Sequence, residues 1–207
     1  MSAIDLDSFN ATPLKKDPYD FLIVPGFIAA DAIDAIDRDY PRIAKGGSFP
    51  LENLECGAAF NSLISELEGP EMRAAFEQKF NLNLKDRPTM ITARGYCQAK
   101  DGKIHNDSKS KLITVLIYMN TEWSQQGGRL RVLHSKNSLE DYAAEVPPDA
   151  GTLIAFRRDH RSFHGHKTFI GERRVIQLNW VRDKAVLWHE KQRHRFSAWL
   201  KSLLSAL

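Results

Sequence analysis

The sequence predicts a protein of the α+β, mainly β class: a helical first part, an antiparallel sandwich or barrel of short strands, and a closing helix. Three observations carry the prediction. Up to about residue 80, apolar side chains recur at helical spacing. Beyond Pro88 the chain turns to short apolar runs, several rich in β-branched residues, punctuated by Gly, Pro and Asn. From Leu187 onward, Trp188, Phe196, Trp199, Leu200 and Leu203 return to approximate helical spacing.

Residues 1–18 are polar, carry Pro13 and Pro18, and read as an arm or edge element. Phe21-Leu-Ile-Val24, closed by Pro25-Gly26, suits a strand and turn. Asp31 is placed to cap a helix over 32–39, with Ile33, Ile36 and Tyr40 in register and Pro41 where it must stop. Residues 45–50 have the composition of a loop. Two helices follow, one marked by Phe60, Leu63, Ile64 and Leu67, the other by Met72, Ala75, Phe76 and Phe80, with Gly69-Pro70 between them. Met90–Gln98 reads as a strand. Leu112–Met119 is a stronger one, apolar on both faces and therefore covered on both sides. Its Leu112, Thr114, Leu116 and Tyr118 are expected to line a cavity, and Ile113, Val115, Ile117 and Met119 to pack on the helices. A strand begins in Gly127–Leu133, residues 134–148 read as a polar connection, and strands follow at 151–156, 162–169 and 174–181. The expected organisation is a single domain, 1–207: helical support (1–88), β core (89–182) and C-terminal helix (183–207).

Composition narrows the class. With 43% hydrophobic and 27% charged residues, the chain buries an ordinary core. A net charge of +3 is too mild to imply nucleic acid, so Arg157-Arg158, Arg173-Arg174 and Lys191–Arg195 read as solvated faces. No stretch approaches the length of a membrane-spanning helix, and the start lacks a basic-then-apolar export signal. Cys56 and Cys97 make no disulfide framework and read as buried thiols. A cytoplasmic protein without membrane or nucleic-acid partners is expected; the oligomeric state stays open.

The chemistry is expected at His105-Asn-Asp107. A histidine and a carboxylate two residues apart at a strand end point to one side and can grip one metal ion. A third ligand is sought in Ser162-Phe-His-Gly-His166, where His164 and His166 share a face. Two imidazoles and a carboxylate that leave positions open are the donor set of non-haem Fe(II) oxygenases. A lone His-x-Asp is weak, arising by chance in roughly half of chains with this composition.

The pieces around it carry a resemblance. His105-Asn-Asp107-Ser, Ile117-Tyr-Met-Asn120 with Trp123 and Gly127-Gly-Arg-Leu, Gly151-Thr-Leu-Ile-Ala-Phe156, Ser162-Phe-His-Gly and Gly171-Glu-Arg-Arg through Trp180 occur in order over residues 90–181. This stretch resembles the 2-oxoglutarate/Fe(II)-dependent oxygenases of the prolyl 4-hydroxylase type, and the helical 20–80 region resembles the cap of small bacterial members. The resemblance implies a double-stranded β-helix (jelly roll). It implies Fe(II), 2-oxoglutarate and O2 as cofactor and co-substrates, and it leaves room for ascorbate. His105, Asp107 and His164 become the metal ligands; His166 falls where the family usually has a valine and lines the pocket.

The distal carboxylate of 2-oxoglutarate needs a cation, and a guanidinium meets it with paired charge-assisted hydrogen bonds. Arg173 and Arg174 both qualify. Strand alternation puts Arg174 with Ile176, Leu178 and Trp180 on the apolar face, so Arg174 is expected to point inward, with Trp180 at the pocket. Tyr118 matches the family tyrosine that touches the same carboxylate, and Thr114 is expected to add a hydroxyl. Tyr96 falls where the family places a pocket tyrosine; Arg94 and Gln98 share its expected face. The implied reaction hydroxylates a C–H bond of a peptidyl proline, free amino acid or other small molecule, releasing succinate and CO2. The rivals are a cupin-like metal enzyme, which needs no inward arginine and usually carries more histidine ligands, and a non-catalytic module that binds 2-oxoglutarate and iron.

Overall fold

The computed structural model describes residues 2–121, 123–183 and 185. Its elements, in order, are α1 (Leu6–Ala11), β1 (Phe21–Val24), α2 (Ala30–Arg38), β2 (Phe49–Pro50), a 3-10 turn (Leu51–Asn53), α3 (Ala58–Leu67), α4 (Pro70–Phe80), β3 (Thr89–Cys97), β4 (Lys111–Tyr118), β5 (Leu130–Leu133), β6 (Tyr142–Val146), β7 (Leu153–Arg157), β8 (His164–His166) and β9 (Gly171–Val181). The closing helix expected from Leu187 lies outside the described residues. No helix among the described residues is long and apolar enough to cross a membrane.

The strands form a six-stranded sheet, β1-β7-β4-β9-β3-β2, and a three-stranded sheet, β6-β5-β8, with antiparallel pairing throughout. The N-terminal region is more than a helical support: it supplies both edges of the large sheet. Four short elements went unread in the sequence: α1, β2, the 3-10 turn and β6. Asp5 caps α1 by accepting from Ser8 N at 2.8 Å, inside the presumed arm. Strand β6 lies in the presumed polar connection, its outward residues disguising a half-buried strand. Helix α2 begins two residues earlier than expected: Ala29 is its N-cap, without a side-chain bond, and Asp31 sits in the first turn.

The inner strands β7, β4 and β9 are covered on both faces, because each face meets a different layer. On one side, Ile113, Val115 and Ile117 of β4 and Ile176, Leu178 and Trp180 of β9 pack with Phe60, Leu63, Phe76 and Phe80 of the helices. The Trp180 ring lies 4.8 Å from Phe76, and Phe76 also stacks on Phe9 of α1 at 4.6 Å. On the other side, Phe21, Tyr118, Ile154, Phe156 and Val175 pack with Leu130, Val132 and Val146 of the small sheet. The space between the sheets is therefore walled by the face of β4 that carries Thr114, Leu116 and Tyr118, as expected; Leu112, at the irregularity between Lys111 and Ile113, packs on the helix side instead. The β4–β9 register sets Thr114 opposite Asn179 and Tyr118 opposite Val175, so the interior residues of β9 are the odd-numbered ones.

Candidate metal centre

His105 lies in the connection between β3 and β4, and a two-residue bridge joins it to β8. His105 N donates to His164 O and His164 N to His105 O, both at 3.0 Å. Directly paired residues put their side chains on one face, and the two imidazole rings stand 4.3 Å apart. Asn106 ties the same two segments again: its Nδ2 donates to Asp159 O, and its Oδ1 accepts from Ser162 Oγ, each at 2.7 Å. Asp107 completes the cluster. One donor atom from each of His105, Asp107 and His164 lies within 4.8 Å of the others.

The surroundings hold the three side chains in metal-binding form. His105 Nδ1 sits 2.8 Å from Lys103 O, and His164 Nδ1 sits 2.9 Å from Ser162 O. A carbonyl can only accept, so each ring carries a proton on Nδ1, and Nε2 is the nitrogen that a neutral ring offers to a metal. Burial pushes the His164 pKa down to about 4, against the pull of Asp107, so the ring is neutral at physiological pH. Burial opposes ionisation of Asp107, but Lys111, His164 and the Thr114 hydroxyl outweigh it and hold the carboxyl at about 2. Lys111 Nζ donates to Oδ1 at 2.8 Å and Thr114 Oγ1 to Oδ2 at 2.5 Å.

The arginine that faces the interior is Arg173, not Arg174. Arg173 is 6% exposed, donates through Nε to Gly128 O at 2.7 Å, and reaches Tyr118 Oη with Nη2 at 3.4 Å. Its guanidinium carbon lies 5.1 Å from the Tyr118 ring centre. It has no carboxylate partner among the described residues. Arg174 points the other way, pairing with Asp37 of α2 at 2.5 Å and with Glu172 at 2.6 Å. The expectation failed because the apolar face of β9 packs on the helices, whereas the interior face carries the polar groups. Trp180 goes with Arg174: it is buried against Phe76 in the helix layer, on the side of β9 away from the candidate centre.

Tyr96 is a second correction. Register slips between Arg94 and Tyr96, where β3 bulges at Gly95. A Cβ there would meet Ile43 O at 2.4 Å, so only glycine lets the strand approach that loop. Beyond the bulge Tyr96 pairs with Glu172, on the Arg174 side, and Cys97 pairs with Gly171 and turns inward. Gln98 covers Gly46 of the N-terminal region. Arg94 keeps the interior face, opposite Val175, and pairs with Asp101 at 3.5 Å. His166 is 8% exposed, donates from Nδ1 to Lys167 O at 2.8 Å, and turns Nε2 to Cys97 Sγ at 4.0 Å. It thus stands on the interior side of β8, beside Cys97. Cys97 is buried as expected; Cys56 is only half-buried.

Sequence reasoning missed Lys111, Asn179 and Cys97 as parts of this site. Only Asn179 had a readable signal, as an uncharged polar residue inside an apolar strand. For Arg173 the signal was present: Gly171-Glu-Arg173 keeps the Gly-x-Arg spacing that Arg174 breaks.

Residues 92–182 match the 2OG-Fe(II) oxygenase superfamily. No curated protein matches the chain. Among solved structures, it is similar to a Pseudomonas putida prolyl-4-hydroxylase, with TM-score 0.56 and 18% identity over 86% of this chain and 90% of that one. A Burkholderia pseudomallei oxidoreductase of the 2OG-Fe(II) oxygenase family gives TM-score 0.54 and 14% identity over 86% and 90% of the two chains. The viral collagen prolyl hydroxylase of Paramecium bursaria Chlorella virus-1 gives TM-score 0.52 and 14% identity over 79% and 95%. The match over residues 92–182 and the shared fold make this chain similar to the 2OG-Fe(II) oxygenase superfamily, enzymes that use Fe(II), 2-oxoglutarate and O2.

Proposed function

We propose that this chain is a hydroxylase in which His105, Asp107 and His164 hold Fe(II), and Arg173 with Tyr118 holds the distal carboxylate of 2-oxoglutarate. One observation carries the reading. The His/Asp/His cluster and a buried guanidinium with no carboxylate partner among the described residues lie on the interior walls of the same two sheets. A buried cation left without a counter-charge is costly, and the co-substrate's carboxylate would supply one. The inward arginine also speaks against a cupin-like reading, which needs none. In this reading residues 89–182 form the core of a double-stranded β-helix, and residues 1–88 add its helix layer and the two edge strands of the large sheet.

When bound together, the metal and 2-oxoglutarate supply an oxidative decarboxylation: 2-oxoglutarate, O2 and R–H become succinate, CO2 and R–OH. The chain's own residues do the rest. The carbonyls of Lys103 and Ser162 keep each imidazole turned with Nε2 toward the metal position. Lys111 and Thr114 keep Asp107 ionised. Phe156, whose ring lies 4.7 Å from His164, and Ile154, Val175 and Tyr118 make a dry wall behind the ligands. Arg173 and Tyr118 fix the far end of the co-substrate.

The prolyl hydroxylases among the structural neighbours make a proline in a peptide the first substrate to try, before free amino acids and other small molecules. The test is succinate formation from 2-oxoglutarate with Fe(II) and a panel of proline-containing peptides and amino acids, with product mass read alongside. The reading expects metal-dependent succinate and a product heavier by one oxygen. Equal succinate from a His105→Ala variant would refute it.

A further inference from the structure

The Asp107 carboxylate is held from behind by the buried Thr114 and Asn179, with the half-buried Gln177 beyond them. Thr114 Oγ1 lies 2.5 Å from Asp107 Oδ2, Asn179 Oδ1 lies 3.1 Å from the same hydroxyl, and Gln177 Nε2 lies 3.4 Å from Asn179 Oδ1. Thr114 on β4 and Asn179 on β9 are directly paired, and they are 2% and 0% exposed. A threonine hydroxyl has one proton, and a contact this short to an ionised carboxylate takes it. The Asn179 oxygen then faces an oxygen that needs a donor, while Asn179 Nδ2 is buried without a partner. Half a turn of the Asn179 amide, with the same turn of Gln177 so that its Oε1 accepts, corrects both: Nδ2 donates to Thr114 and to Gln177, and the Asn179 carbonyl oxygen, cheaper to leave unpaired, takes the empty side.

We propose that Thr114 and Asn179 are positioning residues for the metal: Asn179 donates to Thr114, Thr114 donates to Asp107, and the relay fixes the plane of the ligating carboxylate. The proposal rests on His105, Asp107 and His164 being the metal ligands. It moves Thr114 from the co-substrate contact expected in the sequence to a support behind Asp107. Lys111 differs in kind. Its ammonium is on a flexible stem, its side chain is 15% exposed, and it donates to Oδ1, leaving it free to swing aside when a cation arrives. Thr114 cannot follow, because its backbone is fixed between β7 and β9. Oδ2 is thereby committed to the protein, and Oδ1 is the oxygen offered to the metal.

The test is Mn(II) affinity of the full-length protein, titrated calorimetrically without 2-oxoglutarate. Loss of a partner behind a metal ligand weakens affinity about 10- to 100-fold, so Thr114→Val is expected to fall in that range and Asn179→Leu by about tenfold. Thr114→Ser keeps the hydroxyl and is expected to stay within about threefold of the wild type. A packing role alone predicts the reverse order, because valine keeps the shape of threonine and serine loses its methyl group. The relay is overturned if Thr114→Val binds Mn(II) like the wild type, or if Thr114→Ser falls as far as Thr114→Val. His105→Ala separates the two levels. If it leaves affinity unchanged, the centre is elsewhere and the relay falls with it; if it abolishes binding while Thr114→Val does not, the relay alone falls.

Discussion

Replacing Arg173 by methionine tests which arginine serves the co-substrate. The side chain is buried and has Gly128 O and Tyr118 Oη as its polar contacts, so in the metal- and co-substrate-free protein its charge is uncompensated by any described carboxylate. A hydrogen bond to a charged group contributes about 1.5–3 kcal/mol. Loss of one such contact raises the KM for 2-oxoglutarate by about 10- to 150-fold, at about 1.4 kcal/mol per factor of ten. Methionine fills similar volume, so the wall keeps its shape. Arg174→Met is the paired control: it breaks half-exposed ion pairs with Asp37 and Glu172, worth about 0–1 kcal/mol of stability, and leaves KM unchanged. The assay is succinate formation across a 2-oxoglutarate series, with urea denaturation of each variant. A wild-type KM in Arg173→Met, together with a raised KM in Arg174→Met, would refute the reasoning.

Trp180→Phe is expected to lower stability by about 1–3 kcal/mol in urea while leaving the KM for 2-oxoglutarate unchanged, because the ring packs on Phe76 and not on the site. Gly95→Ala sets a Cβ 2.4 Å from Ile43 O, a backbone atom that cannot step aside, and is expected to cost about 1–3 kcal/mol by the same measurement. Burial holds His164 and His166 near 4, below their ordinary 6.5, so between those values the unfolded chain binds more protons than the folded one. Stability of the metal-free protein is therefore expected to fall as pH drops from about 6.5 towards 4, and His166→Gln to flatten that dependence in denaturation curves taken at several pH values.

The long periodic elements were legible in the sequence. Strand β4 declared both its faces, because Ile113, Val115 and Ile117 are uniformly apolar while Thr114 and Tyr118 are not. Helices α3 and α4 stand where Phe60, Leu63, Met72 and Phe76 place them. The clustering of His105, Asp107 and His164 was legible as well, since the residue types and their order survive in a linear reading. What failed was the side of β9. A strand covered on both faces has no single core side, so the rule that apolar means inward picked the helix layer. Pairing β9 with β4 would have corrected it, because Thr114 opposite Asn179 puts Arg173 on the cavity side. Tyr96 failed for a local reason: the bulge at Gly95 flips every side chain after it, and nothing in the strand's own alternation announces that. The Thr114–Asn179 relay joins residues far apart in the chain and depends on register alone.

The most direct measurement of the central claim is a structure of the protein with Mn(II) and 2-oxoglutarate bound. It should place the ion on His105 Nε2, Asp107 Oδ1 and His164 Nε2, with the distal carboxylate of 2-oxoglutarate on Arg173 and Tyr118. An ion held by other residues, or a carboxylate seated on Arg174, would contradict it.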